Sequence, residues 1–200
     1  MTGYFSAADR NKEPIRQALA SLLPEQGNVL EIGSGTGKHA VYFARHFQHL
    51  HWYTSDLPEN HSAIRSNLEK APLDNLAGPL LLDVSQDQWP SVQVQAVYTS
   101  NTCHIMAWEE VLAMFRGVSC MLPAGGRFLI YGPFNLGGKF TSESNRVFDA
   151  DLRNRAAHMG VRDLGALEAM AAPLGLTLAT RMNMPANNML LCWNRSKQNG

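Results

Sequence analysis

The sequence predicts an α/β protein built on a seven-stranded, mostly parallel sheet that ends in an antiparallel hairpin. Three observations carry this expectation. Short apolar runs alternate with amphipathic helical stretches, the pattern of a parallel sheet covered by helices. Three of those runs end in a carboxylate, Glu31, Asp56 and Asp83, which places three acids at one edge of the sheet. The last two runs are joined only by residues 183–187, and a parallel crossover needs a dozen or more. The 200 residues suit a single domain, 1–200, with residues 1–27 as an N-terminal segment and helix.

The elements follow in order. Residues 1–13 are polar and without a clear period. Pro14 suits the first turn of a helix, and Ile15, Leu19, Leu22 and Leu23 then recur at helical spacing. Residues 29–32 read as a buried strand and 33–37 as a turn. Ala40, Val41, Phe43, Ala44 and Phe47 give the next helix an apolar stripe. A second strand covers 51–55, and Pro58 opens a helix to Lys70. Strands are expected at 79–83, 94–100 and 127–131, with a helix at 108–122 and a turn at 123–126. A glycine-containing loop, 135–142, leads to helices at 144–157 and 164–174. The closing strands are 176–182 and 188–193.

Composition limits the class of function. The chain is 45% hydrophobic and 17% charged, with 17 basic and 17 acidic residues. A net charge of zero gives no general attraction to nucleic acid or to an anionic membrane. Cys103, Cys120 and Cys192 have neither metal-site spacing nor an even count, and read as reduced, buried thiols of a cytoplasmic protein. The seven histidines are scattered and none makes HxxxH or HExxH, so no metal is expected. The first residues lack the apolar core of a signal peptide, and no apolar run is long enough to span a bilayer.

The chemistry centres on LEIGSGTGKHA, residues 30–40. A phosphate-binding loop needs a glycine where this chain has Ile32, and Ser or Thr where it has His39. A dinucleotide turn has G-x-G-x-x-G, whereas the spacing here is G-x-G-x-G. Strand, turn and helix still bring backbone close to a ligand at the sheet edge. Glu31 beneath the turn repels a pyrophosphate. It suits a ligand with an ammonium group, and a carboxylate after the second strand suits ribose hydroxyls.

With VLEIGSGTG, TSDL around Asp56, LLLDV around Asp83 and the final hairpin, the chain resembles the class I S-adenosylmethionine-dependent methyltransferases over residues 29–193. RNKEPI, EIGSGTGKHAVYFA, SNTCHIMAWE, YGPF and MPANNMLL resemble, more narrowly, the DUF938 family of small methyltransferase-like proteins across nearly the whole chain. The resemblance implies a three-layer Rossmann-like methyltransferase fold and S-adenosyl-L-methionine as cofactor. It places Gly33, Ser34, Gly35 and Gly37 along the methionine part, with Glu31 at its amino group. Asp56 goes to the ribose, Leu57 to the adenine face, and Asp83 with Val84 to the adenine amino group. Asn101 is expected to face the transferable methyl group and Asn11 to belong to an N-terminal segment folded over the cofactor.

The N-P-P-[YF] segment of amino-group methyltransferases is replaced by SNTCHIM, which argues against a nucleic-acid base amine as substrate, while the neutral charge and short accessory segments suit a small molecule. His104 is the candidate general base, a residue type that titrates near neutral pH. Tyr131 and Phe134 are candidates to close the substrate pocket. Two alternatives remain at this level: a catalytically silent module that binds the cofactor, and an NAD(P)-dependent oxidoreductase.

Overall fold

The computed structural model describes residues 7–196. The strands are β1 (Gly27–Ile32), β2 (Leu50–Asp56), β3 (Leu76–Leu81), β4 (Ala96–Ser100), β5 (Arg127–Gly132), β6 (Phe134–Asn135), β7 (Arg162–Asp163), β8 (Leu176–Met184) and β9 (Asn188–Arg195). The helices are α1 (Ala7–Leu19), α2 (Lys38–His46), α3 (Pro58–Lys70), α4 (Trp108–Met121), α5 (Glu143–Arg155) and α6 (Leu164–Ala171). The main sheet has seven strands in the order β3-β2-β1-β4-β5-β9-β8. The first five pair in parallel, and β9 is antiparallel to both β5 and β8. The strand order reverses between β1 and β4, which opens a crevice at their carboxyl ends.

Side chains alternate across the strands and divide the core into two layers. Leu30, Ile32, Val97, Phe128 and Trp193 pack with α4 and α6 on one face. Val29, Trp52, Tyr98, Leu129 and Leu190 pack with α1 and α2 on the other. Phe115 lies edge-on to both Phe128 and Trp193, and this aromatic cluster anchors α4 to the sheet.

Several boundaries differ from the sequence reading. α1 begins at Ala7, so Pro14 lies inside the helix rather than at its start. Its first half needs no apolar stripe, because Ile15, Ala18 and Leu19 in the second half carry the burial. β3 runs over Leu76–Leu81 and stops short of Asp83. The Asp83 carboxylate accepts from the Ser85 N–H at 2.9 Å and the Ser85 hydroxyl at 2.7 Å, so it shapes a turn. The expected loop at 135–142 starts in a two-residue strand, β6, paired with β7 in a separate small sheet. Cys103 and Cys192 are buried as expected. Cys120 is exposed, because it lies on the outer side of α4. Among the described residues no helix is long and apolar enough to cross a membrane, and no cluster of His, Cys, Asp and Glu could hold a metal ion.

Candidate functional site

Alternation along β1 turns Glu31 to the α1/α2 side, next to its register partner Tyr98. Glu31 is only 2% exposed. Its carboxyl accepts from the Trp52 indole N–H and the Ser34 hydroxyl, both at 3.2 Å. Burial outweighs these donors and, with a smaller push from Asp56, moves the carboxyl up to about 8. Beside it, the buried Tyr98 hydroxyl has no hydrogen-bond partner among the described residues.

The glycine turn follows. Gly33 and Gly35 have φ of 69° and 60°, a region that favours glycine. A Cβ on Gly33 would sit 2.7 Å from the Thr102 methyl, whereas one on Gly35 would meet nothing within 4 Å. Gly35 therefore faces open space. Its N–H donates to Asp56 Oδ2 at 2.6 Å, while Asp56 Oδ1 accepts from the Leu57 N–H and the Asn60 amide, both at 2.8 Å. The acid after β2 thus fixes the turn after β1. Gly37 is turned away from the cavity, towards Ile64 and Leu68 of α3.

Across the crevice, Asn101 follows β4 with a left-handed φ of 60°, held by its N–H to the Tyr131 carbonyl at 2.8 Å. A non-glycine residue in this conformation costs on the order of 1 kcal/mol, and such strain clusters at functional sites. His104, three residues on, is 6% exposed, with its ring edge-on to Phe148 of α5 at 5.1 Å. A Cβ on Gly132 would lie 3.9 Å from both Asn101 Oδ1 and His104 Nδ1, so this glycine leaves room where the two side chains converge. Burial first, then the positive charges of Arg162 and Arg155, hold His104 down at about 4. It is neutral through the physiological range, unlike the histidine titrating near neutral pH that the residue type leads one to expect.

Two cavities occupy this edge. A smaller one, about 200 Å³, is lined by Glu31, Gly33, Ser34, Gly35 and Asn101, with Ala8 of α1 beside them. A larger one, about 670 Å³, is lined by Asn101, His104, Tyr131, Asn145, Phe148 and Asn188, among others. Asn101 belongs to both. Asn11 lines the larger cavity rather than the smaller, and its Oδ1 is 2.8 Å from His39 Nε2. Leu57, Asp83 and Val84 line neither cavity. Leu57 is 37% exposed beside Asp56, and Val84 is buried in the core. The sequence reading missed Phe148 and Asn145, which come from α5 and carry no motif. It also missed Trp52 and Tyr98, which only the pairing of β2 and β4 with β1 brings to Glu31.

The strand order, the glycine turn after β1 and the acid after β2 define a Rossmann-like methyltransferase fold of class I. Residues 2–195 match the family described as protein of unknown function DUF938, and the chain belongs to that family. Solved structures share the fold. An O-methyltransferase family protein from Burkholderia thailandensis superposes with a TM-score of 0.82 at 16% identity, covering 96% of this chain and 58% of its own. Human N-acetylserotonin methyltransferase in complex with SAM gives 0.80 at 11%, covering 95% and 53%. An O-methyltransferase family 2 protein from Planctomyces limnophilus in complex with apigenin gives 0.76 at 15%, covering 97% and 63%. This chain therefore spans a little over half the length of the structures it matches.

Proposed function

We propose that the chain is an S-adenosylmethionine-dependent methyltransferase acting on a small-molecule acceptor. The observation that carries this reading is the pair of cavities meeting at Asn101, one beside the glycine turn and one under His104 and Tyr131. A transfer enzyme needs a donor site and an acceptor site that touch at one point, and a binding module does not. The neighbours solved with SAM, SAH or apigenin support the same assignment.

The residues present fit the cofactor. Gly35 faces open space beside the smaller cavity, and the buried Glu31 carboxyl lines that cavity, where a cationic group would offset the cost of its burial. Glu31 would hold the amino group, the backbone of Gly33, Ser34 and Gly35 the methionine end, and Asp56 the ribose. Gly37 would set the start of α2 rather than touch the ligand. Leu57 offers an apolar surface for the adenine ring, with Asp83 and Val84 towards its amino group. S-adenosylmethionine supplies an electrophilic methyl group on a sulfonium. The protein's part is to align and desolvate the acceptor, a contribution that reaches about 7–11 kcal/mol in model reactions. Asn101 and Tyr131 would position the acceptor, and neutral His104 would take its proton. α1 would cover the donor site, because Ala8 lines it and Asp9 bridges to Lys38 of α2 at 2.8 Å. The three free cysteines suit a cytoplasmic setting.

The primary test is calorimetric titration with S-adenosylhomocysteine, with NAD as control. Binding of the former alone at micromolar Kd is expected, and Asp56→Ala should weaken it at least tenfold. Binding of NAD instead, or of neither, would refute the assignment. Turnover of an acceptor separates an enzyme from a silent binding module. Gly35→Asn gives a steric check. Asparagine tolerates the left-handed conformation, so the circular dichroism spectrum should persist while ligand binding is lost. Retained binding would place the cofactor elsewhere.

A further inference from the structure

A third cavity, about 530 Å³, adjoins the larger one and shares Asn187 and Asn188 with it. Its walls come from the β6–α5 connection and from β8. They carry Lys139 and Arg181, the half-exposed ring of Phe140, and no carboxylate. Neither cation makes an ion pair within 4 Å among the described residues. Asp163, which reaches the same connection through Gly138, is occupied: it accepts from the N–H groups of Gly138, Gly165 and Ala166. In a chain of zero net charge, two unpaired cations facing one cavity are a local feature.

The boundary between the two cavities is a built turn. Ala186 and Asn187 are consecutive non-glycine residues with φ of 57° and 58°, between β8 and β9. Two left-handed residues in succession persist only where the surroundings enforce them. Here Asn145 of α5 donates to the Asn187 carbonyl at 2.9 Å, and Asn187 donates to the Ser144 hydroxyl at 3.0 Å. The turn is thereby fastened to the helix that supplies Phe148, and it fixes how the two cavities open into each other.

We propose that the acceptor site continues past Asn187 and Asn188 into the cavity under Lys139 and Arg181. The acceptor is then an elongated small molecule with its nucleophile near Asn101 and an anionic group, carboxylate or phosphate, at its far end. Lys139 and Arg181 bind that group, and Phe140 covers the linking apolar part. This rests on the methyltransferase reading for the direction of the molecule, but not for the anion site itself.

The test uses the full chain and three aryl fragments: 3-phenylpropanoate, phenyl phosphate and the neutral 3-phenylpropanamide. Heteronuclear NMR titration reads their Kd values and the shifts of the Asn187, Asn188, Lys139 and Arg181 signals. The anionic fragments are expected to bind more tightly than the amide and to shift all four signals. The Lys139→Gln/Arg181→Gln double variant should lose about tenfold in affinity for the anions and nothing for the amide, because charge-assisted contacts alone are removed. The tighter of the two anions identifies the group. Equal binding of all three fragments, no anion binding, or an unchanged Kd in the double variant would overturn the proposal. Calorimetry with S-adenosylhomocysteine on the same double variant keeps the two readings apart. Ligand bound there with the anion site failing sinks only the anion site, whereas no binding even to the unaltered chain sinks the methyltransferase assignment.

Discussion

Glu31→Gln is expected to stabilise the ligand-free protein at pH 7 by about 3 kcal/mol while removing most of its affinity for S-adenosylhomocysteine. The cause is burial. The folded chain holds the Glu31 proton up to about 8, whereas an unfolded chain releases it near 4.5, as an exposed glutamate does. Between these values the folded state binds one more proton than the unfolded state, so stability falls as pH rises, by about 1.4 kcal/mol per unit. Glutamine has no proton to lose and keeps a carbonyl oxygen for the Trp52 indole. Urea unfolding should therefore show the variant and the parent nearly equal at pH 4.5, diverging steadily to pH 8. A gap independent of pH would mean that Glu31 is ionised in the fold. Binding moves the opposite way. An ammonium group arriving at Glu31 drives it to ionise, so the parent should release close to one proton per ligand at pH 7, read by calorimetry in two buffers, and the variant none. Loss of the charged partner should weaken binding about 10- to 100-fold.

Two histidines set the acid side of the same curve. His39 and His104 are both held at about 4 in the fold, against 6.5 for an exposed imidazole, and burial is the main cause for each. The unfolded chain takes up these protons first, so their contribution is present above pH 6.5 and is lost as pH falls towards 4. Two such groups losing stability outweigh the one gain from Glu31 below 6.5. The parent should thus be most stable near pH 6.5, and Glu31→Gln should flatten the alkaline side up to pH 8 and steepen the acid side between pH 6.5 and 4.5.

The parts of the site legible in the sequence are those that local chemistry dictates. Strand, glycine turn and helix at 29–46 follow from apolar runs and left-handed glycines, and Asp56 is placed by ending the next apolar run. Asp83 was readable as an acid at the sheet edge, but not as the acceptor of Ser85, because LLLDV continues the strand pattern past the point where β3 leaves β2. α1 was under-read, since its first turns are polar and are held by Asp9 to Lys38 of α2, a contact 29 residues away in sequence. The acceptor pocket was the least legible. Its walls come from α1, β5, α5 and the β8–β9 turn, and such long-range convergence leaves no spacing to find. The depressed pKa of His104 belongs to the same category, because burial by distant elements is its main cause and the contributing charges, Arg162 and Arg155, lie more than fifty positions downstream.

His104→Ala is expected to lower kcat for a methylated acceptor about 10²- to 10⁴-fold and to leave the Kd for S-adenosylhomocysteine unchanged. The ring lies in the larger cavity, not beside the glycine turn, so the cofactor should not register its loss. Its protonation state makes the assignment specific. At about 4, the imidazole is unprotonated from pH 5 upwards and free to accept a proton, although a base this weak depends on close alignment with the acceptor. The kcat/KM profile should show no acid limb from His104 between pH 5 and 8, only a fall towards pH 4. Arg155 is exposed, and its charge contributes to holding His104 low, so Arg155→Gln should move that limb upward without disturbing the fold. Arg162 is unsuitable for this test, because its guanidinium donates to the carbonyls of Cys103, Met106 and His158 and its removal would loosen the loop that carries His104. A structural histidine would respond differently: His104→Ala would lower thermal stability and cofactor affinity together with kcat, and Arg155→Gln would leave the pH profile where it was. Movement of the limb in the arginine variant therefore separates a proton acceptor from a packing residue without requiring any change at His104 itself.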